Sequence, residues 1–356
     1  MTEESPTASH LSVAMTTKED DMTQTTGVNG KTSSLSSNEA FYFQCVVIFV
    51  GLVGTAGNAL ILYALVVSKQ YKKHMLILNQ NALDLFSCFL LVITYSLKLC
   101  NIHLTGKTGY WLCVMILSEN ITYWGTNGSI INLAIVTVDR YLKVVHPVRS
   151  KKWLRSWTIY SAVAFAWLVG IVYNNIMAFA TSAVIDGVCY YAVFEGDLQR
   201  TAFNIWYFIS FYVIILVIFI FCYWRILVVV RRQASAMSGY SGPSATAQAQ
   251  SNQMQANVIK TMIFVSGFYA ITQLPGNVYL QFTLDPNLNF IQSGYYVATF
   301  IAFCYTCANP FIYATKFDPV RKVLSGILPC KKTAVQPAEG TGTDRLQLTS
   351  RTDRQH

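Results

Sequence analysis

Charge is what this sequence has least of. Asp, Glu, Lys and Arg together make up 12% of the 356 residues, against 53% apolar types. An average soluble domain carries about twice that charged share. The interior of such a domain could not absorb the apolar excess, whereas lipid can. Nine cysteines are present, but Cys304 and Cys307 form the one CxxC pair and no histidine stands at metal-ligand spacing from it, which argues against a zinc site. The five histidines, His10, His74, His103, His146 and His356, are scattered and form no ligand cluster. Neither HExxH nor GxSxG occurs, and Gly106-Lys107-Thr108 lacks the upstream glycine of a phosphate loop. No enzymatic activity is therefore expected. The net charge of +9 does not point to nucleic acid, because its placement is that of a membrane protein.

What the sequence does have is long apolar runs. Seven stretches, at about 41–68, 75–99, 110–143, 157–184, 202–229, 258–283 and 289–314, are each long enough to cross a hydrocarbon core of about 30 Å as a helix. The expected fold is all-α, a seven-transmembrane helix bundle with a short membrane-surface helix after the seventh span. With the N-terminus outside, the inner loops and span ends hold thirteen Lys and Arg, and the outer loops hold only Lys98, Lys107 and Arg200. That bias sets the orientation, with the C-terminus cytoplasmic. Residues 1–40 are rich in Ser, Thr and acidic types, show no charged start followed by an apolar stretch, and are expected to be a disordered extracellular segment. The Ala/Ser/Gln/Gly-rich loop at 231–257 is expected to be flexible. Residues 315–330 can form an amphipathic helix with Phe317, Val320, Val323, Leu324 and Ile327 toward lipid and Arg321 and Lys322 toward headgroups. Cys330 follows as a candidate for palmitoylation, and 331–356 is expected to be a disordered cytoplasmic tail.

Polar residues inside apolar spans are costly, and they are candidates for function. Asp84 stands in the middle of the second span, Asn58 in the first, and Asn309-Pro310-Phe311-Ile312-Tyr313 in the seventh. Asp139-Arg140-Tyr141 ends the third, where an acid beside an arginine can pair with it in one state and release it in another. Together with Leu83, Trp167, Tyr223 and Pro275, these markers fall in order, one set per span. From about residue 41 to 330 the chain resembles a rhodopsin-like (class A) G-protein-coupled receptor.

The resemblance implies roles. Asp139, Arg140, Tyr141, Tyr223, Asn309, Pro310 and Tyr313 would form the activation switch that receives a heterotrimeric G protein. Asp84, Ser129 and Asn309 would form an internal pocket for an allosteric sodium ion, the only cofactor expected, and their carboxylate, hydroxyl and amide oxygens suit a hard cation. Cys113 would bond Cys189 in the second outer loop, although Cys113 lies two residues further from Arg140 than is usual in the family and Cys100 is a competitor. Thr341, Thr343, Thr349, Ser350 and Thr352 are candidate phosphorylation sites for receptor kinases and arrestin. Membrane lipid is the remaining partner, and the plasma membrane the expected location.

Three departures from the family pattern stand out. Gln273 replaces the usual tryptophan ahead of Pro275, Ile215 replaces a usual proline, and Ser251 to Asn257 contain no carboxylate to hold Arg140. The inactive state is therefore expected to be weakly locked, with measurable ligand-free signalling. At the position where amine receptors carry an aspartate stands Thr122, and where opsins carry the retinal lysine stands Phe303, so neither a monoamine nor a Schiff-base pigment is expected. Candidate pocket residues are Glu119, Thr122, Tyr123, Asn127, Asn174, Trp206, Gln273, Asn277, Tyr296 and Phe303. Glu119 has two readings, a partner for a cationic ligand group or a carboxylate in water at the edge of a loop. The amides can equally be helix–helix hydrogen bonds. Amides and phenols suit a peptide ligand. A small neutral or lipid ligand is the alternative, and a polytopic transporter a more distant one.

Overall fold

A backbone in hydrocarbon must satisfy its own hydrogen bonds, so apolar runs of this length fold as helices. The computed structural model describes residues 32–191, 194, 196–237, 243–282 and 292–316, with 320, 321, 323 and 326 beyond them. The first, second, fourth, sixth and seventh spans are the single helices Thr32–Val67, Met75–Leu99, Ser156–Thr181, Pro243–Phe282 and Gln292–Lys316. The third and fifth are composite. The third runs Gly106–Leu112, a π-turn at Cys113–Leu117, and Asn120–Val145; the fifth runs Asp197–Phe208, a π-turn at Ile209–Val213, and Ile214–Met237.

Among the described residues, six helical stretches are long and apolar enough to cross a membrane. The third span is not one of them, for a physical reason. Asn120–Val145 is the axis of the bundle, packed against the second, fourth and fifth spans. It buries Asn127, Ser129, Asn132 and Asp139 against protein rather than lipid. Close approach there depends on small residues. A Cβ added to Gly170 would lie 2.2 Å from the Trp124 carbonyl oxygen, and one on Gly125 would meet Ser87 at 2.3 Å.

Several boundaries differ from expectation. Helix begins at Thr32, inside the segment expected to be disordered, because the apolar helix beyond it has already met the cost of nucleation and propagates outward. Residues 231–237 and 243–257, expected to be flexible, are helical; Ala and Gln are good helix formers. Val320, expected to face lipid, is buried in the main core, where Val323 also packs. Phe317, Leu324, Ile327 and Cys330 lie outside the described residues. A two-stranded hairpin follows the fourth span, β1 (Ala183–Ile185) against β2 (Val188–Tyr190). Its turn uses positive φ at both Asp186 (50°) and Gly187 (79°), the geometry that matches strand twist. A disulfide joins Cys189 to Cys113, with Cα atoms 5.3 Å apart, while Cys100 is free and exposed.

Candidate signalling core and ligand cavity

The middle of the bundle holds a continuous polar network. Trp167 donates to Asn79 (3.0 Å), Asn79 to Asn132 (2.9 Å), and Asn132 to Gln80 (2.7 Å). Gln80 donates to Ser129, which donates to Asp84 at 2.6 Å. Asn309 donates to the other Asp84 oxygen, also at 2.6 Å. Tyr305 sits 3.2 Å from Ser129 and accepts from Gln80. Because Ser129 gives its one proton to Asp84, Tyr305 is the donor between the two hydroxyls. The chain thus links the fourth, second, third and seventh spans through side chains that are individually unfavourable in lipid. Asp84, Ser129 and Asn309 come together as a set. The Asn309 amide oxygen is buried with no hydrogen-bond partner among the described residues. Turning that amide would add its oxygen to those of Asp84 and Ser129, a donor set that fits a hard monovalent cation. Among the described residues, no group of three or more His, Cys, Asp or Glu is placed to hold a metal ion.

At the Arg140 end, Asp139 is buried and bridges Lys143 at 2.8 Å, closer than its 3.7 Å contact with Arg140. Lys143 lies one turn along the same helix, where it reaches the carboxylate easily. Tyr141 meets the His146 ring at 3.3 Å. Tyr223 bonds Thr137 of the third span at 3.0 Å and Ser266 of the sixth at 2.9 Å. Thr137 gives its proton to the Leu133 carbonyl. Tyr223 therefore donates to Thr137 and accepts from Ser266, a directed chain of hydroxyls across three helices. Tyr313 is buried and Pro310 lies within its helix. His74, just ahead of the second helix, is buried, and its pKa is pushed down to about 4 by that burial and by Arg140, Lys73 and Lys143.

At the hairpin end, a cavity opens between the third, fifth, sixth and seventh spans. Its walls are Tyr123, Thr126, Tyr207, Gln273, Gly276, Asn277, Tyr279, Ala298, Thr299, Ala302 and Phe303. Four of the expected pocket residues, Tyr123, Gln273, Asn277 and Phe303, therefore line it. The other six do not. Glu119 is 4% exposed, not in water. It is held by Lys98 (2.5 Å) and the Tyr95 hydroxyl (2.9 Å), and it occupies the left-handed break between the two parts of the third span at φ 63°. Asn127 and Asn174 are bonded to each other at 3.2 Å across the third and fourth spans, which is their helix–helix reading. Thr122 is buried behind the wall, with its carbonyl taken by Ser87. Trp206 packs on Tyr173 and is 51% exposed on the outside of the bundle. Tyr296 stacks on Phe43 at 4.6 Å.

Residues 57–313 match the family model described as 7 transmembrane receptor (rhodopsin family). The chain belongs to that family. It is 26% identical to somatostatin receptor type 5 of Rattus norvegicus over 79% of this chain and 76% of the relative. It is 23% identical to the allatostatin-A receptor of Bombyx mori, covering 79% of this chain and 78% of that one. Galanin receptor 2a of Danio rerio is also 23% identical, with coverage of 82% and 79%.

In this receptor Asp84, Arg140 and Asn309 stand out in the sequence because each sits in a short, position-specific motif. The cavity wall was less so. Thr126, Gly276, Ala298, Thr299 and Ala302 are small residues with no chemical signature of their own. They line the cavity because they leave the space, and only the packing of four helices shows it.

Proposed function

We propose that this G-protein-coupled receptor binds an extracellular peptide and, when bound, activates a heterotrimeric G protein from a cytoplasmic opening at Arg140. The observation that carries the ligand class is the cavity itself, whose phenol, amide, hydroxyl and aromatic walls suit peptide backbone and apolar side chains. The somatostatin, allatostatin-A and galanin receptors among its relatives support the same reading. A small neutral or lipid ligand in the same cavity is the second reading, favoured by a wall that carries no Asp, Glu, Lys, Arg or His among the described residues.

The mechanism is a shift of population. Ligand contacts with Gln273 and Asn277 favour an arrangement in which the sixth helix pivots near Pro275 and swings from the third, opening the space beside Arg140. The N-terminus is extracellular and the C-terminus cytoplasmic at the plasma membrane. Asp84, Ser129 and Asn309 would hold a sodium ion in the resting state, through their carboxylate, hydroxyl and amide oxygens. Tail phosphorylation at sites such as Thr349 and Ser350 recruits arrestin, and Cys330 carries a lipid chain. Arg140→Ala tests the core of this. In cells expressing the chain with an N-terminal epitope tag, agonists from a peptide library should give G-protein dissociation in the wild type. The response should fall at least about tenfold in the variant, with tag staining of unpermeabilised cells unchanged. Signalling that survives the substitution would remove Arg140 from the mechanism.

A further inference from the structure

The cavity is defined by what its wall withholds. Among the described residues, no Asp, Glu, Lys, Arg or His lines it. Two buried acids of the bundle are committed elsewhere, Glu119 to Lys98 and Tyr95, and Asp84 to Ser129 and Asn309. A free ammonium or carboxylate entering the cavity would lose its hydration and meet no opposite charge, which is strongly unfavourable. A neutral group meets a different situation. Asn277 donates its amide nitrogen to the Gln273 carbonyl at 2.8 Å. Only nitrogen can satisfy that carbonyl, so the bond fixes which way the amide is turned. Its oxygen is then an acceptor, buried and without a hydrogen-bond partner among the described residues. Asn277 is 6% exposed, and it lines the cavity beside Gln273 and Thr299. A buried acceptor left open is costly unless a donor arrives.

We infer that the cavity receives a primary carboxamide of the ligand, whose N–H group donates to the Asn277 side-chain oxygen. This rests on the peptide reading and sharpens it, since a carboxamide on a peptide is either an amidated C-terminus or an Asn or Gln side chain. A carboxamide is neutral, planar and a double donor, and it needs no counter-ion from the wall.

The test uses the full receptor in cells and a peptide library in three matched forms. The forms are C-terminal amides, the corresponding free acids, and amides with each Asn or Gln changed to Asp or Glu. Activating peptides should lose on the order of 100-fold in potency in one of the two acid forms, and the form that loses identifies the source of the carboxamide. Asn277→Leu should weaken the carboxamide peptide about tenfold at unchanged surface staining. Thr299→Lys, which brings a cation to the wall, should recover the acid form. Equal potency of amide and acid in every arm would overturn the inference and leave the peptide reading standing. Silence from all three forms, in a wild-type receptor that responds to a neutral non-peptide library, would overturn both.

Discussion

A single carboxylate illustrates how residue identity and residue environment part company. Glu119 is visible in the sequence as an acid near the outer end of the third span, but its partner lies on another helix. Periodicity along one helix carries no information about pairing across two. In the structure Lys98 and Glu119 form an ion pair with side chains 16% and 5% exposed, and the Lys98 ammonium also lies 4.6 Å from the Tyr95 ring and 5.1 Å from that of Tyr191. Glycine would suit the left-handed backbone at position 119 but could not answer the lysine. Removing one partner of a buried pair leaves the other charge uncompensated, a cost of about 3 kcal/mol, whereas removing both is close to neutral. Glu119→Gln should therefore lower the unfolding temperature and surface expression of the receptor, and Lys98→Met should do the same. The double variant should recover most of the loss. Additive losses in this double-mutant cycle would show that the pair contributes no coupling.

At the scale of elements, long helices were legible and their interruptions were not. The third span carries two residues more between Cys113 and Arg140 than its family pattern leads one to expect. The structure shows a π-turn at Cys113–Leu117 followed by the break at Glu119 in that same stretch. Neither feature leaves a proline or glycine at the break to announce it. The sixth span shows the converse, an absence legible in sequence whose replacement was not. No carboxylate from Ser251 to Asn257 is available to hold Arg140. The third, fifth and sixth spans are joined instead by the chain Ser266–Tyr223–Thr137, all three buried. A neutral hydrogen bond contributes about 1 kcal/mol net, so the loss of one bond of this clasp should shift the balance between the two states by about that much. Ser266→Ala removes one bond while keeping Tyr223 in place. Ligand-free G-protein dissociation, normalised to surface staining, should then rise about fivefold, the factor equivalent to 1 kcal/mol. A basal signal that is unchanged or lower would show that Ser266 does not restrain the sixth helix.

At the scale of the whole molecule, the bundle followed from composition, since 53% apolar residues in seven runs leave few other folds. The distribution of charge has a further consequence. Much of the excess positive charge collects at the Arg140 end, where it suits an anionic membrane surface and an acidic partner. The same field acts on His74. Burial, Arg140, Lys73 and Lys143 together lower its pKa from 6.5 to about 4, so the ring is neutral in the folded receptor at pH 7. Because the folded value lies below the unfolded one, the unfolded chain binds the proton more readily at every pH between the two. Stability is then complete above about pH 6.5 and declines as pH falls toward 4, by up to about 3 kcal/mol from this group. Other groups titrate in the same range, so the measurement must be a difference. Thermal unfolding of the purified, detergent-solubilised receptor should be followed from pH 7.5 to 4.5, beside His74→Gln, which cannot take up the proton. The wild type should lose stability faster than the variant below pH 6.5, and the two curves should run parallel above it. Parallel curves throughout would mean that His74 is hydrated enough to protonate in place, and that the basic face does not reach it.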